Sequence, residues 1–302
     1  MAIVTMRELL EAGVHYGHHT SRWNPKMAPY IHKRRHSIHI IDLRQTVRGL
    51  ARASRFLSTL GEGGGEVILV GTKKPAKATV TEQGQAAGIH YVAERWLGGT
   101  LTNFSVVMDR VHRLEELEGL EETGEIESKG KKFASVLRRE LAKLQKNLTG
   151  LRRMERLPDA LILIDPRREK SALREAAIVG IPVIAFQDTD SDPDMVDIVI
   201  PGNDDAMRSI QLICVKLMDA IREGQARAPL PPEAEAVAAV PEGPPPAAPA
   251  APAAPAAPAA PAAPPPAAPP EEPVAAAPAT EAAPAPEEPP PAPEPPSTQA
   301  EA

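Results

Sequence analysis

The sequence predicts an α/β fold: a parallel sheet covered by helices, interrupted by a long helical hairpin and followed by a disordered tail. Three observations carry this. Short apolar runs (EVILV at 66–70, LILI at 161–164, PVIAF at 182–186) alternate with amphipathic helical patterns, as strands buried on both faces require. Two long helical patterns, 104–117 and 133–151, fall between two of those strands. Residues 228–302 are mostly Ala and Pro, and ten glutamates are their only charges. Such a tail cannot bury enough apolar surface to offset its ordering entropy, so polyproline II segments and disorder are expected.

Each element has a local cause. Thr5 and Glu8 form a capping box for a helix over 5–12, which Gly13 can end. Residues 14–37 read as an irregular polar stretch. IHII at 38–41 reads as the first strand, and Asp42 caps a helix to about Leu60. After the strand at 66–70 comes a helix from Lys74 to about Ala87, then a short strand at 91–93. In the second long helical pattern Phe133, Leu137, Leu141, Leu144, Leu148 and Leu151 step by four or three, a coiled-coil seam. Its polar link is 119–130, and the seam is expected to form a cluster separate from the core. Strands at 161–164, 182–186 and 198–200 and a helix over 204–222 complete the pattern. The expected domains are a basic extension at 1–37, an α/β core at 38–103 and 152–227, the hairpin at 104–151 and the tail at 228–302.

Charge separates these parts. All 34 Lys and Arg precede the tail and face 30 acidic residues there, a net +4 although the whole chain is −6. Residues 1–60 alone hold ten cations against Glu8, Glu11 and Asp42, with Tyr16, Trp23 and Tyr30 interleaved. Basic charge mixed with aromatics is the footprint of an RNA surface; a solvated charged face is the plainer alternative. No apolar run reaches membrane-spanning length, and the N-terminus lacks a signal-peptide core. The single Cys214 sits at helical spacing with Ile210, Ile213, Leu217 and Ile221, as a buried apolar residue would. These features fit a cytoplasmic protein.

Candidate chemistry is sparse. RWLGGTLTNF at 95–104 is either an exposed Arg-Trp platform for a base or phosphate, or a helix-entry loop with a buried Trp. GTKKPA at 71–76 lacks the second Gly of a phosphate loop, but Lys73 and Lys74 flank a helix start that can hold a phosphate. The DTDSDPD run from Asp188 has Pro193 where a calcium loop needs Gly, and His15, His18 and His19 lack cysteine partners, so no metal or cofactor is expected. The competing class is a flavodoxin-like enzyme or receiver domain using Asp165, Asp188 and Asp190 at strand ends.

Six dispersed runs resemble one family: LLEAGVHYGHHTSRWNPKM at 9–27, HIIDL at 39–43, GTKKPA, RWLGGTLTNF, PDALILIDP at 158–166 and IPGNDDAMRSI at 200–210. Together they resemble bacterial small-subunit ribosomal protein two. The resemblance implies a Rossmann/flavodoxin-like core with a coiled-coil hairpin and no catalysis. It also implies binding to 16S rRNA, neighbouring small-subunit proteins, and ribosomal protein one as partner. The expected RNA-contacting residues are Arg22, Trp23, Asn24, Lys26, Lys33, Arg34, Arg35, Lys73, Lys74, Arg95, Trp96 and Asn103. The tail lies outside the family pattern. A chain ending at Arg227 should therefore melt at the same temperature as the full chain in calorimetry; a drop of several degrees would mean that the tail packs on the core.

Overall fold

The computed structural model describes residues 4–128 and 130–228; the expected disordered tail lies outside them. Two sheets organise the chain. The first is antiparallel, with order β1-β3-β2 from Tyr16–His19 (β1), Ile31–Arg35 (β2) and Ile38–Ile41 (β3). The second is parallel, with order β5-β4-β6-β7-β8. Its strands are Val67–Val70 (β4), His90–Val92 (β5), Ala160–Ile164 (β6), Val183–Gln187 (β7) and Ile198–Pro201 (β8).

Three expectations change here. Residues 14–37 are not irregular: they supply β1, a 3-10 turn at Pro25–Tyr30 and β2. IHII forms β3 but does not enter the parallel sheet. His39 and Ile41 are buried while Ile38 and Ile40 are not, and that period of two suits a sheet with one open face. The helix Lys170–Val179 (α7) was not anticipated, since its apolar face is mostly alanine. The two-residue β2–β3 turn places His36 and Ser37 at φ +48° and +60°, the positive-φ geometry that matches strand twist in tight hairpins.

The helices at Met6–Glu11 (α1) and Leu43–Glu62 (α2) start as the sequence predicts. Thr5 accepts from the Glu8 amide in a full capping box, and Asp42 accepts from the Arg44 amide at 3.0 Å. Lys74–Ala87 (α3) ends at Gly88 in the left-handed region, φ +67°. The last helix is Met207–Arg227 (α8), displaced toward the C-terminus because 203–206 form a capping turn on Asn203 Oδ1. Gly61 and Gly224 let α2 and α8 approach until backbone meets backbone; a Cβ at Gly61 would lie 2.7 Å from the Ile221 carbonyl.

Strand alternation divides the core in two. Val67, Leu69, Ile162, Ile184 and Phe186 face α1, α2, α3 and α8. Ile68, Val70, Leu161, Leu163 and Ala185 face α7 and the long helices Phe104–Glu122 (α4) and Lys131–Leu148 (α6). A short helix, Glu125–Ser128 (α5), joins α4 to α6. Val107, Val111, Leu114 and Leu117 pack against Ala134, Leu137, Leu141 and Leu148. Phe133, expected on this seam, is 50% exposed, and Ala134 takes its place. The seam is also not separate: it is continuous with the sheet face through Leu148, Leu151 and Met154. Leu148 is fully buried at this junction, so Leu148→Ala should cost about 2–5 kcal/mol. Denaturant unfolding should show one transition shifted for hairpin and sheet probes alike; a shift confined to the hairpin would show that the two are independent.

Candidate nucleic-acid interface

The strand order turns back at β4, whose neighbours β5 and β6 lie on opposite sides. In open α/β sheets this switch point forms a crevice at the strand C-termini, where ligands bind. Here the crevice is lined by the chain's own N-terminal segment. Lys73 follows β4, Asp165 follows β6, Asp188 follows β7, and Asp204 and Asp205 follow β8. His18, from β1, points into this group. Its Nδ1 lies 2.6 Å from Asp188 Oδ2 and its Nε2 3.4 Å from Asp205 Oδ2.

Neighbouring contacts fix the same segment. The His18 amide donates to Thr189 Oγ1 at 3.0 Å, and the Asn24 amide to the Thr189 carbonyl at 2.7 Å. Asn203 donates from its side chain to the Gly13 carbonyl at 3.1 Å and from its amide to Val14. Gly17 is required by proximity: a Cβ there would lie 2.8 Å from Thr189 Cγ2. The resembling runs HYGHH and IPGNDD thus meet as two halves of one clamp.

Electrostatics tighten it. The hydrogen bond to Asp188 raises His18 to about 9, against the opposing effect of burial. Burial disfavours the charge on Lys73, but Asp204 outweighs it and the ammonium is stabilised, 2.6 Å from both Asp204 and Asp205 and 3.4 Å from Asp165. Burial, and then the charge of Asp165, push the Asp204 carboxyl upward, and the charge of Lys73 opposes them. Asp165 holds φ +61°, a strained position for a non-glycine residue. One ligand atom each from His18, Asp188, Asp204 and Asp205 lie within 4.8 Å of one another, a donor set that could hold a divalent cation. The spacing of His15, His18 and His19 could not reveal it, because three of the four donors come from more than 160 residues away.

The expected RNA residues divide into separate environments. Lys33, Arg34 and Arg35 are all exposed on β2, and Arg22 is exposed on the loop after β1. Trp23 is half-buried, its ring 5.0 Å from that of His39, and Asn24 caps the 3-10 turn. Lys26 is engaged by Asp192 and Asp194 at 3.0 and 2.6 Å. Arg22, Trp23 and Lys73 line one open cavity with Arg167 and Arg168, two cations that sequence reading missed although they directly follow a strand. Lys74 is exposed at the start of α3.

Arg95 and Asn103 are exposed on the β5–α4 connection, but Trp96 is not available for stacking. Trp96 is 6% exposed, and its indole N–H donates to Glu175 Oε1 at 3.0 Å. The amides of Gly99 and Leu101 donate to the same carboxylate, each at 2.9 Å. RWLGGTLTNF is therefore a loop wrapped on a buried acid, the second of its two readings. Gly99, one of the three donors, sits at φ +89°, a conformation that a side chain would strain.

A family model described as "Ribosomal protein S2" matches residues 9–224. The small ribosomal subunit protein uS2 of Synechococcus elongatus is 50% identical over 225 residues, 74% of this chain and 90% of that protein. The uS2 protein of Thermus thermophilus is 55% identical over 218 residues, covering 72% and 85%. That of Rhodopirellula baltica is 49% identical over 238 residues, covering 78% and 92%.

The clamp should respond to pH. His18 is raised from 6.5 to about 9 in the fold, so its contribution is complete below pH 6.5 and is lost as pH rises through about 9. Melting temperature should fall across that window, and less in His18→Gln. An equal fall in both would assign the dependence to another group.

Proposed function

The chain belongs to the ribosomal protein S2 family, and we propose that it binds 16S rRNA through its basic N-terminal sheet and supports docking of ribosomal protein one. Family membership makes it a structural constituent of the small ribosomal subunit, located in the cytoplasm, and not an enzyme. The carboxylates that would serve an enzyme, Asp165, Asp188 and Asp190, are engaged by Lys73, His18 and Arg167.

The observation that carries the RNA reading is a row of cations without counter-ions. Lys33, Arg34 and Arg35 are consecutive and exposed, and among the described residues no carboxylate pairs with them. Some exposed cations elsewhere do find acids: Lys26 with Asp194, Arg113 with Glu116, Arg138 with Glu127. Like charges held side by side repel unless an external anion screens them, and a phosphate backbone supplies such anions in series. Arg22, Lys74, Arg95 and Asn103 extend the surface, and Trp23 and Asn24 help to shape the loop that carries Arg22. Lys26 and Lys73 act by holding the loop and the clamp in place. The exposed Phe133 and Val136 on α6 support a docking role for the hairpin.

Replacing Lys33, Arg34 and Arg35 together with Ala should weaken entry into small subunits and flatten its salt dependence. Each lost phosphate contact should reduce the slope of log K against log salt by roughly 0.7–0.9. An unchanged slope would remove β2 from the interface. Small subunits assembled without this chain should lose ribosomal protein one on sedimentation and regain it when the chain is added.

A further inference from the structure

The antiparallel sheet has two unlike faces. One carries Gly17 and His39 and lies against the loop after β7, as the close approach of Gly17 to Thr189 and Asp188 shows. The other is open. Strand register places Tyr16, Ile40 and Lys33 in one cross-strand row, and Ile38 and Arg35 in the next. Tyr16 is 51% exposed and Ile38 36%. With Met6 and Leu10 of α1, this face walls a groove of about 710 Å³, inside the roughly 300–1,000 Å³ span of ligand sites.

An open face of an antiparallel sheet is ordinarily polar. This one has an apolar, aromatic floor and a cationic rim. The rings of Tyr16 and His15 lie 4.0 Å apart, tilted by 38°, so two aromatic planes line the groove. Lys33, Arg35 and Arg44 stand at its edge without ion pairs among the described residues. The carboxylate of Asp42, also in the groove, is engaged in capping α2.

Taking the RNA-binding reading above as its basis, we propose that this face holds an unpaired nucleotide of RNA, its base on Tyr16 and the Ile38–Ile40 floor and its flanking phosphates on Lys33 and Arg35. A flat apolar floor with an exposed ring matches the face of a base, which every nucleotide offers once it is unstacked. A duplex would present only sugar and phosphate to that floor and leave it unsatisfied. An acidic peptide would use the cations but meets the rings only where it carries an aromatic side chain, whereas every nucleotide brings a planar base and a phosphate together. Lys33 and Arg35 project from the same side of β2, about 6.6 Å apart along the strand, which suits successive phosphates of an extended chain.

The test uses the full chain, a short unstructured RNA oligonucleotide and the duplex of the same sequence, each titrated at several salt concentrations. The single strand should bind more tightly than the duplex. Tyr16→Ala should weaken single-strand binding roughly 5- to 150-fold, the equivalent of one stacked base, with the salt slope and the duplex affinity unchanged. Tyr16→Phe should retain binding. Lys33→Ala combined with Arg35→Ala should lower the slope by about 1.4, two single-strand phosphate contacts. Tyr16 is half-exposed, so an unchanged melting temperature verifies that its truncation leaves the fold intact. Equal single-strand affinity for Tyr16→Ala and the parent chain overturns the proposal, as does a preference for duplex. Competition by an acidic peptide that depends on Tyr16, in the absence of RNA binding, assigns the groove to a protein partner and also overturns it. If the Lys33, Arg34 and Arg35 variant loses entry into small subunits while Tyr16→Ala binds RNA like the parent, only the groove inference fails. If the parent chain binds neither RNA, the rRNA-binding reading fails with it.

Discussion

The buried contact between His18 and Asp188 is the constraint on which the surface of this protein depends. It joins the first strand of a small antiparallel sheet to the C-terminal edge of a parallel sheet 170 residues further along the chain. An imidazolium and a carboxylate with 19% and 2% of their side chains exposed form a hydrogen-bonded ion pair shielded from most solvent. Removing either partner leaves the other's charge buried, which is why such pairs resist substitution more than surface bridges do. The second buried pair, Lys73 with Asp204, acts from the other side of the same crevice. Between them, the two pairs convert a crevice that other α/β folds leave for a ligand into a socket for the chain's own N-terminus.

Charge on this molecule is used in two ways. Inside the crevice, cations and acids are matched one to several: Lys73 touches three carboxylates, and His18 comes within 4.0 Å of three. On the small sheet Lys33, Arg34 and Arg35 stand without acidic partners among the described residues. The first pattern rigidifies, because desolvated charges must keep their geometry to keep their energy. The second stores unsatisfied positive potential, which an approaching polyanion can relieve. The rigid arrangement supports the unsatisfied one, since β2 pairs with β3, β3 with β1, and β1 is held by the clamp. A similar division appears in the β5–α4 loop. Glu175 of α7 accepts three N–H donors from that loop with one buried carboxylate, and Arg95 stays exposed at the loop's start.

The sequence by itself determined the parallel sheet, the helical hairpin, the capped starts of α1 and α2, and the basic character of the N-terminal sixty residues. Each is written in short-range terms: period two or three and four, a cap residue, or a local excess of charge. The six runs behind the family resemblance were legible for the same reason. Only the tertiary structure decided what those runs do. RWLGGTLTNF read either as an exposed platform or as a loop with a buried Trp until Glu175, 79 residues beyond Trp96, proved to occupy its indole. His18 looked like one of three equivalent histidines until the loops after β7 and β8 supplied its partners. Lys26 and Lys73 looked like free cations until folding brought carboxylates to them. Long-range pairing leaves no periodic trace in a chain, because its energy depends on distances that exist only after both sheets have formed. Lys33, Arg34 and Arg35 kept the exposed, unpaired character they had in the sequence because no carboxylate among the described residues comes to meet them.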